Sequence, residues 1–163
     1  MPTSPVEYPA PQSFVAALGQ AFDSETGRTI VEPFGIVWGN AVALDKGLDT
    51  YDISAPRLGI HLTFKHSGVV FDHEFQDDGK GPFLLTHCAF WGDEDEYESY
   101  KGPIWKDLSF SSTLADAEEK LGTPTRVGRL GIHFWELPDF RLTMHSGDFV
   151  LDEAIDHVSF AHR

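Results

Sequence analysis

LTFKHSG, residues 62–68, returns eighty positions later as LTMHSG, residues 142–147. Neighbouring features recur with it. Asp72-His73 follows the first copy and Asp156-His157 follows the second, while Leu18-Gly19 and Leu121-Gly122 precede them at the ends of short apolar, helix-like stretches. Three features in one order are what an internal duplication leaves behind. A rival echo, RLGIH at 57–61 and 129–133, recovers only itself and reads as a coincidence between similar strands.

Outward from the echoes, each half reads as a helix followed by strands. Pro11 suits the first position of a helix whose face carries Phe14, Ala17 and Leu18, with Gly19 as its left-handed stop. The polar stretch 23–33 reads as a loop, as does 45–57, and Gly39-Asn40 signals a hairpin between apolar runs. Strands are expected near 58–65 and 69–75, joined by Ser67-Gly68, and again over 83–91. Alternation places Ile60, Leu62 and Phe64 on one face, with His61, Thr63 and Lys65 on the other. In the second half Thr113 is the expected N-cap, answered by Asp116, of a helix striped by Leu114, Ala117 and Leu121. Gly122 and Pro124 end it. Strands follow near 131–137, 140–145, 148–151 and 155–160, with a turn at Pro138-Asp139. The fold class is α+β: two tandem repeats, 11–90 and 100–163, each a short helix then an antiparallel β-meander, sharing one sheet or core. An acidic segment, 91–99, joins them, and residues 1–10, with Pro2, Pro5 and Pro9, form a mobile arm.

Composition narrows the function. With 41% hydrophobic and 13% aromatic residues, the chain has the means to build a core. Twenty-six acidic against twelve basic side chains give a net charge of −14, which disfavours nucleic acid as a partner and favours a basic protein. No signal peptide and no membrane-spanning run is legible, so the expected location is the cytoplasm.

Chemistry is sparse. No His-Glu-x-x-His, paired-cysteine, phosphate-loop or Gly-x-Ser-x-Gly pattern occurs. Cys88 lies among apolar neighbours and reads as a structural thiol. No cofactor and no metal is expected. A metal site would need the two Asp-His pairs to converge, although neighbours on a strand point to opposite faces. What stands out is the acidic run Asp93, Glu94, Asp95, Glu96 and Glu98, interleaved with Trp91, Tyr97 and Tyr100. Charge runs are usually solvated, but aromatic anchors within one suit a partner-binding surface. These eight residues are the candidate site.

The stretch 100–124 resembles a pattern of certain bacterial immunity proteins, through Tyr100, Gly102, Pro103, Leu108, Phe110, Ser111, Leu121, Gly122 and Pro124. Trp135 and the Leu142-x-Met144 strand with its Gly147 turn fit the same pattern. Such proteins neutralise polymorphic toxins delivered by type VI or related secretion systems. The layout of helix, Leu-Gly-x-Pro and strands is also similar to the repeat of the β-lactamase inhibitor proteins. The resemblance implies a non-catalytic inhibitor of a cognate toxin, and the acidic charge suits a basic toxin such as a nuclease. A metal-dependent hydrolase using the Asp-His pairs and a housekeeping interaction module are the alternatives.

Overall fold

The computed structural model describes residues 5–36, 50–70, 82–94, 96–147 and 153–163, the side chains of 68 and 69 excepted. Two short helices open the chain: α1 (Pro11–Ala17) and α2 (Glu25–Val31). Strands β1 (Thr50–Ala55) and β2 (Ile60–His66) follow, then a single turn, α3 (Ser67–Val70), and β3 (Phe83–Trp91). The second half has α4 (Leu114–Leu121), β4 (Arg126–Val127), β5 (His133–Glu136), β6 (Phe140–Ser146) and β7 (Ile155–His162). The seven strands of the described residues make one antiparallel sheet in the order β1-β2-β3-β7-β6-β5-β4. The expected α+β class is therefore what the chain adopts.

Register explains the core. Ile53 pairs with Leu62, Leu62 with Cys88, Cys88 with Phe160, Phe160 with Leu142, and Leu142 with Trp135. These six form one row across six strands, and all but Ile53 are buried. A second buried row runs Ile60, Phe90, Val158, Met144, His133. Side chains alternate along a strand, so both rows face the same way, toward Phe14, Ala17, Ile30, Leu114 and Ala117 of the helices. The Phe14 ring meets Phe90 edge-on at 4.9 Å, and Phe22 lies 5.3 Å from Phe64. Residues from both halves thus share one core.

The two echoed leucines sit in that first row, each on the middle strand of a three-stranded meander, β1-β2-β3 or β5-β6-β7. The histidines of the echo do not correspond. His66 lies four residues beyond Leu62 and is buried on the core face, whereas His145 lies three beyond Leu142 and faces the other way. Lys65 is the positional counterpart of His145. The RLG echo also has a local meaning. Each copy forms a tight turn leading into a strand, with positive φ at Gly59 in one and at Leu130 and Gly131 in the other.

Several expectations need correction. Residues 25–31 are helical, not a loop: Ser24 caps the helix by accepting a hydrogen bond from the Gly27 amide (3.0 Å), and Ile30 and Val31 are buried. Residues 50–55 form β1 inside the expected 45–57 loop, because pairing with β2 outweighs a polar sequence. At 67–70 the chain makes a helical turn where a strand was expected to begin. The expected arm is docked in its described part, with Pro9 buried and Tyr8 packed 5.1 Å from Tyr100. The Gly39-Asn40 hairpin, the remainder of the 69–75 strand, Asp72-His73 and the 148–151 strand lie outside the described residues.

Helix α4 begins as expected. Thr113 and Asp116 form a reciprocal capping box, and those hydrogen bonds hold the Asp116 carboxyl below its ordinary range. Its end differs in detail. Gly122 has φ +81° and ψ −177°, an extended left-handed geometry rather than the helical αL form. A Cβ there would meet no atom within 4 Å, so the constraint is purely backbone. The geometry also aims the Gly122 carbonyl at the buried Trp135, whose Nε1 donates to it at 2.9 Å. Gly122→Ala is therefore expected to destabilise the protein by about 1–3 kcal/mol, with the denaturant slope unchanged in urea unfolding. An unaltered midpoint would show that this backbone geometry is not required.

Candidate functional site

The acidic segment is stitched to the sheet rather than strung between halves. β3 ends at Trp91, whose amide donates to the Gly59 carbonyl (2.9 Å), and the Gly92 amide donates to Asp156 (2.6 Å). Glu94 and Tyr97 exchange both backbone hydrogen bonds at 3.1 Å, closing a tight turn. The Glu98 amide then donates to Pro56 and the Tyr100 amide to Trp91, each at 2.9 Å. The segment so crosses the β1–β2 turn that a side chain at Gly59 would strike the Glu98 carbonyl and the Tyr100 backbone. Glycine at 59 is thus set both by its positive φ and by close approach.

This route sorts the eight candidate residues. Asp93, Glu94, Glu96 and Glu98 are exposed on the turn, and Asp95 lies outside the described residues. Tyr97 stacks on Trp91 (5.0 Å between centroids, 19° between planes), and its hydroxyl is 2.8 Å from that of Ser54. Trp91, Tyr97, Glu94 and Glu96 together line a shallow open cavity. Tyr100 points the other way. It is 3% exposed, packed 4.7 Å from Phe90, and burial pushes its phenol pKa up. Its ring is part of the core and is not available as a surface anchor.

The face of the sheet away from the helices gathers residues that no motif had joined. One row on it is Asp52, Thr63, His87, Ala161, Arg141, Glu136, and another is Trp91, His157, His145. His61 lies between them, its Nε2 3.1 Å from Asp52, which also accepts a hydrogen bond from Thr63 (2.7 Å). The β6–β7 register slips between His145 and Ser146, leaving Asp156 as the extra residue of a bulge. Asp156 is thereby aimed at His145, with Oδ1 2.9 Å from Nδ1. Strict alternation in sequence separates Asp156 from the histidine face, and the bulge undoes that separation.

Trp91 covers His157, with ring centroids 4.3 Å apart. Burial, then the nearby His87 and His145, lowers the His157 pKa to about 4. His87 is also lowered, first by burial and then by His61, with Lys65 adding to the effect and Asp52 opposing it. Cys88 is fully buried in the core row, and burial pushes its thiol pKa up, as befits a structural thiol. Among the described residues no three His, Cys, Asp or Glu side chains converge as a metal ion would require.

No protein-family model matches the chain, and neither the curated proteins nor the solved structures give a match. Among the described residues no helix is long and apolar enough to cross a membrane.

The depressed pKa of His157 predicts a pH dependence. The unfolded chain takes up a proton near pH 6.5 and the folded one only near 4, so stability is full above the upper value and falls as pH drops between them. The loss from this residue amounts to up to roughly 3 kcal/mol. Urea unfolding across this range should show a shallower pH slope in His157→Gln. An identical slope in both proteins would place the titration elsewhere.

Proposed function

We propose that the protein is a non-catalytic inhibitor that binds a basic protein partner through the acidic turn 93–98 and the Trp91–Tyr97 stack. Specifically, it would be an immunity protein neutralising a cognate secreted toxin in the cytoplasm. The observation that carries the reading is the held geometry of this turn. Backbone hydrogen bonds and the Ser54 contact fix an exposed group of carboxylates beside a half-buried aromatic pair. A preorganised loop loses little entropy on binding, and its charge attracts a basic surface at long range. The resemblance in residues 100–124 supplies the toxin partner. The same reading takes the two meanders, with Leu62 and Leu142 at matching places in the row, as copies of one ancestral unit.

The His145–Asp156 pair favours a second reading, a metal-dependent hydrolase, because a carboxylate that orients an imidazole is common around metal centres. Near-stoichiometric zinc in untagged protein, lost in His145→Ala, would favour it over the inhibitor.

The inhibitor reading is tested with the product of a toxin reading frame adjacent to the gene. Replacing Asp93, Glu94, Asp95 and Glu96 by their amides should slow association about tenfold at low salt and much less at high salt. Tyr97→Ala should instead speed dissociation, at a cost of about 2 kcal/mol. If rates and salt dependence stay unchanged in both variants, the turn is a solvated connection and the reading fails.

A further inference from the structure

β7 ends before β3 does. Its pairing with β3 starts at His87 and Ala161, whereas β3 begins at Phe83, so a notch opens where the seventh strand stops. Past the end of β7 the same edge of β3 is taken up by the chain after α1, through hydrogen bonds between Leu85 and both Gly19 (2.7 Å) and Gln20 (2.9 Å), while β2 holds the other edge, so the notch is a recess on the outer face at this junction. The notch encloses a cavity of about 500 Å³, with Thr63, Lys65, Thr86, His87, His162 and Arg163 in its lining.

That lining runs against the composition. In a chain with twenty-six acidic and twelve basic side chains, the described residues lining the cavity include a lysine, an arginine and two histidines and no Asp or Glu. Three of the four are unspent. The side chains of Lys65, His87 and His162 make no hydrogen bond or ion pair among the described residues. Arg163 is partly engaged, donating to the Leu137 carbonyl at 2.8 Å with Glu136 3.7 Å away. The hydroxyls of Thr63 and Thr86 donate to Asp52 and to the Thr63 carbonyl, so they are held as acceptors and offer no proton to a ligand. What the notch presents is the positive charge of the exposed Lys65 and Arg163 beside the half-buried His87 imidazole, a combination that attracts a negatively charged group.

We propose that this notch binds a small oxyanion, a phosphate or carboxylate group, held by Lys65 and His87 with Arg163 at the rim. Lys65 supplies a permanent charge and His87 a directed N–H. The groups facing His87 are Asp52 from β1, His61 and Lys65 from β2, and His157 from β7. Of these only Asp52 favours the imidazolium. An anion in the notch adds a second negative charge, so binding draws a proton onto His87 and strengthens as pH falls. The site is separate from the acidic turn, and neither proposal depends on the other.

The test follows histidine ring resonances of the full chain by NMR during titration with inorganic phosphate and, separately, acetate, at matched ionic strength. Saturating anion should raise the His87 pKa by about one unit, with about tenfold tighter binding on the acid side. Lys65→Gln should weaken binding about tenfold, while Lys65→Arg retains it. His87→Asn should remove the pH dependence with thermal unfolding above pH 7 unchanged. A response to phosphate alone assigns the site to phosphate, and a response to acetate alone assigns it to carboxylate. No movement of His87 with either anion, or equal binding by Lys65→Gln protein with unaltered melting, overturns the proposal.

Discussion

The pairing of β3 with β7 is the constraint on which the other features rest. It sets Cys88 opposite Phe160, and so aligns Ile53, Leu62, Leu142 and Trp135 into one row shared by both halves. A slip of one residue at this junction would turn the inner residues of one half away from the helices and set its outer residues against their apolar faces. Each fully buried Leu or Phe in these rows is worth about 1.5–3 kcal/mol relative to exposure, so an inverted half has no competing core to bury. Neither three-stranded meander has an apolar face complete without its neighbour, which is why the chain closes as one core.

The same register that hides the apolar rows creates the opposite face. Once Leu62, Cys88, Phe160 and Leu142 point inward, alternation forces His61, His87, Ser159 and Thr143 outward. His157 and His145 then become cross-strand neighbours, and the bulge adds Asp156 to them. Nothing in the chemistry of a histidine draws it to this face. Its place follows from what lies beside it in sequence and from which strand pairs with which.

The acidic turn shows how a charged segment becomes ordered. Its carboxylates project outward, but its backbone is held at Pro56, Gly59 and Trp91, and Tyr97 is fastened at both its ring and its hydroxyl. Tyr97 and Tyr100, close in sequence, take opposite roles for a geometric reason. Tyr97 lies in the turn over the outer face at Trp91, whereas Tyr100, past the Pro56 and Trp91 attachments, dives under the sheet beside Phe90 and Tyr8.

The sequence by itself determined the elements whose signals are local. Pro11 opens α1, Thr113 and Asp116 cap α4, and the alternation in Ile60–His66 and Phe140–Ser146 is written in successive residues. It also determined the α+β class, the acidic charge of the 93–98 run and the buried character of Cys88. It did not carry helix α2, whose polar sequence is stabilised by two buried residues and a cap, nor β1, which exists through its partner β2. Only the tertiary structure decided that Tyr100 is core, that His66 and His145 face opposite ways, and that Lys65, His87 and Arg163 meet at the end of β7. Local hydrogen bonding and periodicity reach only a few residues along the chain. Cross-strand register pairs residues as far apart in sequence as His87 and Ala161, and it is fixed by the burial of the whole sheet rather than by any one segment.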